Sequence, residues 1–218
     1  MSPDPLLELH DLAFERDDYE LFANVSIALD GGDIVHVVGP NGCGKTTLLH
    51  ILATLKQASR GQVRWSGKFT RGNQAFLSQT VFVGHQPALK AQLSARENLS
   101  WYARLFSTPG SSVVDDALDQ LGFSAARDLP CRVLSAGQLR RVALAVLALR
   151  RARLWLLDEP LTALDSEGVE RVEALIARHL SGGGLAVFSS HQALASVPVQ
   201  ALPLGDYVPV PWFEEMTP

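Results

Sequence analysis

The sequence has few cysteines, no long apolar run and no recognisable secretory signal, and each of these features excludes a class of protein. The 218 residues contain only two cysteines, Cys43 and Cys131, which excludes a framework of disulfide bonds. The longest uninterrupted apolar run, residues 142–149, is far shorter than the roughly 20 residues that a membrane-spanning helix needs. We also expect no secretory signal, because the first residues do not show a basic and then an apolar segment. These features are typical of a cytosolic globular protein.

The chain also has no excess of positive charge. Lys and Arg together number 19 against 23 Asp and Glu, which gives a net charge of −4. A protein that wraps nucleic acid usually carries a basic excess, so we expect no nucleic-acid partner. Hydrophobic residues make up 47% of the chain and charged residues 19%, a balance that excludes a disordered chain.

Periodicity and turn residues predict one α/β domain over residues 1–218. Apolar runs predict early strands at 6–12, 25–29 and 34–38, with residues 30–33 as a hairpin-like turn between the last two. Later segments predict a helix at 45–55, a helix-rich stretch over about 87–150, and strands at 154–157 and 185–189. We therefore expect a β lobe and core at about 1–85 and 151–200, a helical insert between them, and an extended, proline-rich tail from about 201 to 218.

A glycine-rich loop between a predicted strand and a predicted helix matches the phosphate-binding pattern G-x-x-x-x-G-K-[ST]. Backbone N–H groups of such a loop converge on phosphate oxygens, and the helix dipole favours their negative charge. The pattern predicts that Lys45 binds the β- and γ-phosphates and that Thr46 gives its hydroxyl to Mg²⁺. We expect the Cys43 thiol to lie at the phosphate site, although a small space-filling residue is the alternative. The predicted nucleotide-binding residues of this segment are Gly39, Pro40, Asn41, Gly42, Cys43, Gly44, Lys45, Thr46 and Thr47.

A second apolar strand, residues 153–157, ends in the acidic pair Asp158 and Glu159. Two acids at a strand end are by themselves more often a turn or a helix cap. Beside a phosphate-binding loop they indicate a Mg²⁺ ligand, Asp158, and a base for the attacking water, Glu159.

With these motifs the chain resembles the ATP-binding cassette (ABC) ATPases. Six motifs occur in the order of that family: the phosphate loop, Gln86 within 84–87, residues 134–138, the acidic pair, residues 163–165, and His191 after Ser190. The resemblance covers about residues 6–192. It implies an α/β fold with a P-loop NTPase core of mixed sheet around the phosphate-loop helix, an antiparallel β lobe and a helical subdomain that carries the signature motif.

The resemblance also implies roles for individual residues. Glu159, His191 and Gln86 would act in catalysis, and Thr46, Gln86 and Asp158 would hold Mg²⁺. The signature residues Ser135, Ala136, Gly137 and Gln138 would bind the ATP of a second copy of the chain, and Asp165 would cross the dimer interface. Each has a plainer alternative: Gln86 in an ordinary loop, Ser135 and Gln138 as a capping box, and Asp165 as a helix N-cap.

Two positions depart from the family pattern. Ala136 stands where the signature usually has glycine, which is acceptable for a residue with negative φ. Where the family usually places an aromatic residue against the adenine, this chain has Arg16. A guanidinium plane can stack on a base, and the nearby Tyr19 is a substitute, so both alternatives stay open.

Two motif variants, residues 84–87 (GHQP) and residues 134–138 (LSAGQ), look like the branch of ABC ATPases that serves bacterial haem export and cytochrome c maturation. This resemblance implies ATP and Mg²⁺ as cofactors, an ATP-dependent homodimer, integral membrane permease subunits of the haem-exporter type as partners, and a peripheral location on the cytoplasmic face of the inner membrane. ATP hydrolysis would then drive release of a haem-loaded chaperone. We expect no direct haem binding, because the chain has no C-x-x-C-H motif. An ATPase of another small ABC exporter, or a soluble P-loop regulator, is the alternative.

Overall fold

The computed structural model describes residues 5–17, 19–106 and 111–208, whose strands form two sheets. An antiparallel sheet has the strand order β2-β1-β4-β5, and a parallel sheet has the order β6-β7-β8-β3-β9. The strands are β1 (Leu7–Arg16), β2 (Tyr19–Leu29), β3 (Ile34–Val38), β4 (Arg60–Trp65), β5 (Lys68–Phe69), β6 (Thr80–Val83), β7 (Leu154–Asp158), β8 (Leu185–Ser189) and β9 (Gln200–Pro203). The predicted α/β class and antiparallel β lobe are confirmed, whereas the described core sheet is parallel rather than mixed.

Several helices of the described residues begin where capping side chains satisfy free backbone N–H groups. They are α1 (Lys45–Leu52), α2 (Gln74–Ser78), α3 (Ala95–Leu105), α4 (Ser111–Gln120), α5 (Ala136–Leu149) and α6 (Ser166–Ser181). Ser94 and Glu97 form a capping box at the start of α3, and Ser135 and Gln138 form another at the start of α5. Asp165 caps α6 by accepting a hydrogen bond from Gly168 N–H. The capping roles given above for Ser135, Gln138 and Asp165 are therefore confirmed.

The parallel sheet is buried on both faces, and this explains its apolar sequence. Every residue of β7 and β8 is buried. Leu154 and Leu156 belong to a core cluster shared with α1 and the antiparallel sheet, whereas Trp155 and Leu157 belong to a second cluster with α3, α5 and α6. Near-continuous apolar runs are typical of parallel strands covered on both sides. In the described residues, no helix combines the length and apolar character needed to cross a membrane.

Two sequence-based expectations about element ends are wrong. Residues 30–33 do not close a hairpin, because β2 belongs to the antiparallel sheet and β3 to the parallel one. This turn instead carries the chain from one sheet to the other, with Asp33 Oδ2 accepting a hydrogen bond from Asp30 N–H at 2.7 Å. Helix α1 ends at Leu52 rather than at residue 55, since Ala53 is its C-cap and Thr54 has a positive φ of 58°.

The segment predicted as an extended tail enters the core. Strand β9 pairs with β3 in parallel, and Leu202 and Leu204 are buried. Pro203 lies opposite Val38 at the end of this edge strand, a place where proline is tolerated because no further ladder bond is needed. The described fold thus continues to Val208, and the rest of the predicted tail, residues 209–218, lies outside the described residues.

Candidate nucleotide site

The phosphate loop joins the end of β3 to the start of α1. Gly39, Gly42 and Gly44 have φ values of 153°, 88° and 101°. A Cβ atom on Gly44 would lie 2.8 Å from the Phe22 ring, so both backbone conformation and packing require glycine there. The first turn of α1 therefore opens directly onto the loop, as a phosphate site requires.

Lys45 and Thr46, the first two residues of α1, reach in different directions. The Lys45 ammonium donates hydrogen bonds to the carbonyl oxygens of Gly39 and Pro40 at 2.8 and 3.1 Å, which keeps its charge at the loop. The Thr46 hydroxyl donates to the Asp158 carboxylate at 3.0 Å. A hydroxyl and a carboxylate brought together are the oxygen donors that suit Mg²⁺. The described residues therefore fit a magnesium ion bound beside the phosphates.

Asp158 is held in place by the neighbouring strand. It is buried at the end of β7, and the Ser189 hydroxyl at the end of β8 donates to its Oδ1 at 2.6 Å. The two residues are register partners in the parallel sheet, so their side chains leave the same edge. Ser189 is a site residue that the sequence analysis missed, although the aligned ends of two buried strands were a signal for it.

Glu159 occupies an uncommon backbone conformation with a φ of 52°. Its N–H donates to the Ser189 carbonyl at 2.9 Å, and its Oε2 accepts a hydrogen bond from His191 N–H at 3.3 Å. The exposed His191 ring has Nε2 3.7 Å from Glu159 Oε1. Positive φ at a non-glycine residue is concentrated at functional sites. The ends of β7 and β8 thus place His191 beside the carboxylate of Glu159, the predicted base.

These side chains surround a cleft of about 370 Å³. Most of the predicted nucleotide and catalytic residues line it, namely Arg16, Asn41, Gly42, Gly44, Lys45, Thr46, Thr47, Asp158, Glu159 and His191, together with Leu21, His85 and Ser189. Arg16 thus lies at the cleft, whereas Tyr19 stands half exposed at the start of β2. This placement favours Arg16 over Tyr19 as the residue beside a bound base.

Two predicted residues are placed differently. The Cys43 side chain is buried in the core cluster of α1 and β3 and packs against Gly39, which favours the alternative of a small space-filling residue. Gln86 lines a neighbouring cavity of about 200 Å³ with Phe82 and Tyr102. The cleft is instead lined by His85, the preceding residue. Sequence order alone does not decide which of two adjacent loop side chains turns toward a site.

The signature residues lie around a second cleft of about 580 Å³. It is lined by Ser135, Ala136, Gly137, Gln138, Arg141, Ala163 and Asp165, along with residues 122–126. Among the residues that the structure describes, none lines both this cleft and the nucleotide cleft. Ser135 and the first N–H groups of α5 are therefore presented away from the phosphate loop of their own chain.

Asp165 fixes the loop beside the signature. Its carboxylate accepts hydrogen bonds from Gly168 N–H and from the Arg141 guanidinium, and these bonds hold its pKa below the ordinary value, the backbone bond most strongly. A Cβ on Gly137 would lie 2.5 Å from the Ala163 carbonyl oxygen. Position 137 thus has to be glycine, because the 163–165 loop packs against it, whereas Ala136 begins the helix with ordinary geometry.

The fold is that of an ABC ATPase. The family model described as ABC transporter matches residues 22–162, and this chain belongs to that family. It is an ATP-binding, ATP-hydrolysing subunit of the ABC type.

Individual proteins give a finer comparison. The chain is 46% identical over 193 residues to the "Cytochrome c biogenesis ATP-binding export protein CcmA" of Yersinia pestis, with 88% of each chain covered. An ABC transporter ATP-binding protein from Pyrococcus furiosus superposes with a TM-score of 0.82 at 26% identity, covering 93% of this chain and 99% of that one. A dimeric ATP-binding cassette bound to ADP and phosphate shares the fold, with a TM-score of 0.75 at 24% identity and coverages of 85% and 88%.

Proposed function

We propose that this chain is the ATPase subunit of an export complex that serves cytochrome c biogenesis. The observation that carries the proposal is one cleft in which Lys45, Thr46, Asp158, Glu159 and His191 meet. The similarity to the Yersinia protein over most of both chains supports the assignment to cytochrome c biogenesis. On this proposal the subunit binds ATP with Mg²⁺ and works with integral membrane permease subunits of the haem-exporter type, at the cytoplasmic face of a bacterial inner membrane.

The residues of the nucleotide cleft divide the chemistry among them. N–H groups of the glycine loop and the Lys45 ammonium bind the phosphate oxygens, while Thr46 and Asp158 supply the oxygen ligands of Mg²⁺. The bound ion neutralises charge that develops on the phosphates. Ser189 keeps the Asp158 carboxylate oriented through the 2.6 Å hydrogen bond to Oδ1.

Glu159 receives the proton of the attacking water. As the water oxygen bonds to the γ-phosphorus, its proton passes to the Glu159 carboxylate and the bond to the β-phosphate oxygen breaks, which leaves ADP and phosphate. The bond from His191 N–H to Oε2 and the 3.7 Å approach of its ring to Oε1 orient this carboxylate. Gln86 would have to turn from its present cavity toward the cleft to join the Mg²⁺ ligands.

A complete site on this proposal takes two copies of the chain. The signature cleft exposes Ser135 and the start of α5, where N–H groups and the helix dipole favour a phosphate. This cleft is separate from the nucleotide cleft of the same chain. In a head-to-tail dimer, the signature cleft of one copy would face the nucleotide cleft of the other. Asp165 and Gly137 then lie at the interface.

The variant Glu159→Gln tests the proposal, because it removes the base while keeping the size and the hydrogen-bonding ability of the side chain. We expect ATP to bind as in the unchanged chain and the hydrolysis rate to fall by about 10²- to 10⁴-fold. In cells whose only copy is this variant, mature c-type cytochromes should be absent on haem-stained gels, while haem still accumulates on the periplasmic chaperone.

The matched control is Glu167→Gln, the same chemical change in an exposed residue paired with Arg171. It should leave both the hydrolysis rate and the cytochromes unchanged. Near-normal hydrolysis by Glu159→Gln would remove Glu159 from its role. Slow hydrolysis with normal cytochromes would instead assign the ATPase to another exporter.

A further inference from the structure

Arg140, two residues beyond the signature motif, is a buried arginine with 3% of its surface exposed. Its guanidinium donates hydrogen bonds to four backbone carbonyl oxygens: Gly84 at 2.7 Å, His85 at 3.4 Å, Asp158 at 2.7 Å and Pro160 at 3.3 Å. Burying a charged group costs desolvation free energy that neutral carbonyl groups offset only in part. Packing alone therefore does not explain an arginine at this position.

The guanidinium remains charged despite its burial. Desolvation lowers the pKa of Arg140 to about 10, which is still well above neutral pH, and the negative charges of Asp158 and Glu159 act in the opposite direction. The guanidinium is planar and has five N–H donors in a fixed fork, so it can hold the carbonyl groups of two loops at once in a geometry that the compact lysine ammonium does not reproduce.

The four carbonyl groups belong to the two loops that carry the chemistry. Gly84 and His85 precede Gln86, and His85 itself lines the nucleotide cleft. Asp158 and Pro160 flank Glu159 on either side. One side chain therefore fixes the backbone before and after the base and the backbone of the loop that carries the glutamine.

Arg140 also stands on the signature helix. It lies five residues after Ser135, so about 7.5 Å of rigid helix separates the two along the axis. A contact that shifts or steadies the start of α5 acts, through that rigid helix, on the guanidinium and on the carbonyl groups it holds.

We infer that Arg140 is a positioning residue that links the occupation of the signature cleft to the placement of Glu159. This inference rests on the proposed head-to-tail dimer, in which Ser135 meets the ATP of the partner. On that arrangement the base is fully aligned only in the closed dimer, and hydrolysis is kept slow until both copies are engaged.

A double-mutant cycle on the full chain tests the link. Ser135→Ala is combined with Arg140→Lys, and kcat and KM for ATP are measured for the unchanged, single and double variants. We expect Ser135→Ala alone to lower kcat about tenfold, and to lower it less than about threefold further when Arg140 is already replaced. The KM for ATP should change less than kcat, because the glycine loop and Lys45, which bind the phosphates within one chain, are untouched.

Leu144→Ala is the matched control, since Leu144 is fully buried on the same helix and its truncation also destabilises the chain. Combined with Leu144→Ala, the Ser135→Ala change should still cost the full tenfold. A residue that only stabilises the fold would behave as Leu144 does. The inference would therefore be overturned if Ser135→Ala still lowered kcat by the full tenfold in the Arg140→Lys background.

Two further outcomes distinguish failure of the proposed dimer from failure of the role of Arg140. If Ser135→Ala leaves kcat unchanged in the otherwise intact chain, the proposed dimer contact fails and the role of Arg140 fails with it. Arg140→Gln is carried through the same cycle, and melting temperatures identify the variants that fold. If neither Arg140 variant folds while Leu144→Ala does, Arg140 is a stability residue and the inference is wrong.

Discussion

At the scale of single residues, the nucleotide cleft depends on groups that orient the reactive ones. Asp158 is held by the hydroxyl groups of Thr46 and Ser189 and, through its carbonyl oxygen, by Arg140. None of these contacts is a salt bridge between side chains. These contacts therefore orient the carboxylate without pairing it to a cationic side chain, so a metal ion can be its partner.

Removing the Ser189 hydroxyl should weaken the binding of Mg²⁺. We expect Ser189→Ala to raise the Mg²⁺ concentration for half-maximal hydrolysis about tenfold, because the carboxylate loses the 2.6 Å hydrogen bond that orients it. A titration of the ATPase rate with Mg²⁺ at saturating ATP measures this. Ser181→Ala, which removes a hydroxyl from the surface of α6, should have no effect. An unchanged Mg²⁺ requirement in Ser189→Ala would show that Thr46 alone orients Asp158.

At the scale of secondary structure elements, the added strand β9 is expected to contribute to stability. Leu204, directly after it, is fully buried against the core cluster of α1 and β3. We expect Leu204→Ala to lower the free energy of unfolding by about 2–4 kcal/mol, through lost apolar contact and the cavity left behind. Urea denaturation measures the change, and Leu55→Ala, at a side chain that is 65% exposed, should stay within about 0.5 kcal/mol. Equal effects of the two substitutions would mean that β9 is loosely attached.

Elements with local signals were predictable from the sequence. The caps at Ser94, Ser135 and Asp165 depend on residues within one helical turn, and the apolar runs of β7 and β8 report burial on both faces. The strands β2 and β3 were paired wrongly, because sheet membership depends on long-range register that a turn sequence does not encode. Strand β9 was missed for the same reason, since a short segment with Pro203 becomes a strand only beside β3.

The candidate site divides in the same way. Lys45, Thr46, Asp158 and Glu159 follow from motifs that join a strand to a loop or helix, so their placement could be predicted. The turning of His85 rather than Gln86 toward the cleft, and of Cys43 into the core, depends on how neighbouring elements pack. Arg140 was missed because its partners are backbone carbonyl groups, which have no signature in the sequence.

At the scale of the whole molecule, a cross-link tests the arrangement of the two clefts. Asn41 lines the nucleotide cleft and Ala136 the signature cleft. In a chain carrying Glu159→Gln, the substitutions Asn41→Cys and Ala136→Cys together should give a covalent dimer with a short bifunctional maleimide when ATP is added. The natural cysteines are both buried, so the background should be low.

Chains with only one of the two new cysteines serve as controls and should remain monomeric on denaturing gels. A mixture of the two single variants should give a cross-linked dimer, because the proposed contact joins different copies. A cross-link that forms at high dilution within one chain, without dimers, would contradict the head-to-tail arrangement.

The separation of the two clefts also has a consequence for inheritance. If each working site takes its phosphate loop from one copy and its signature from the other, a mutation in one copy impairs a site that the two copies share. A cell with one allele altered in the phosphate loop and another altered in the signature assembles mixed pairs in which both defects fall on one site and the second site is intact. Two alleles that are each inactive alone would then restore partial growth together, whereas two alleles with damage in the same cleft would not.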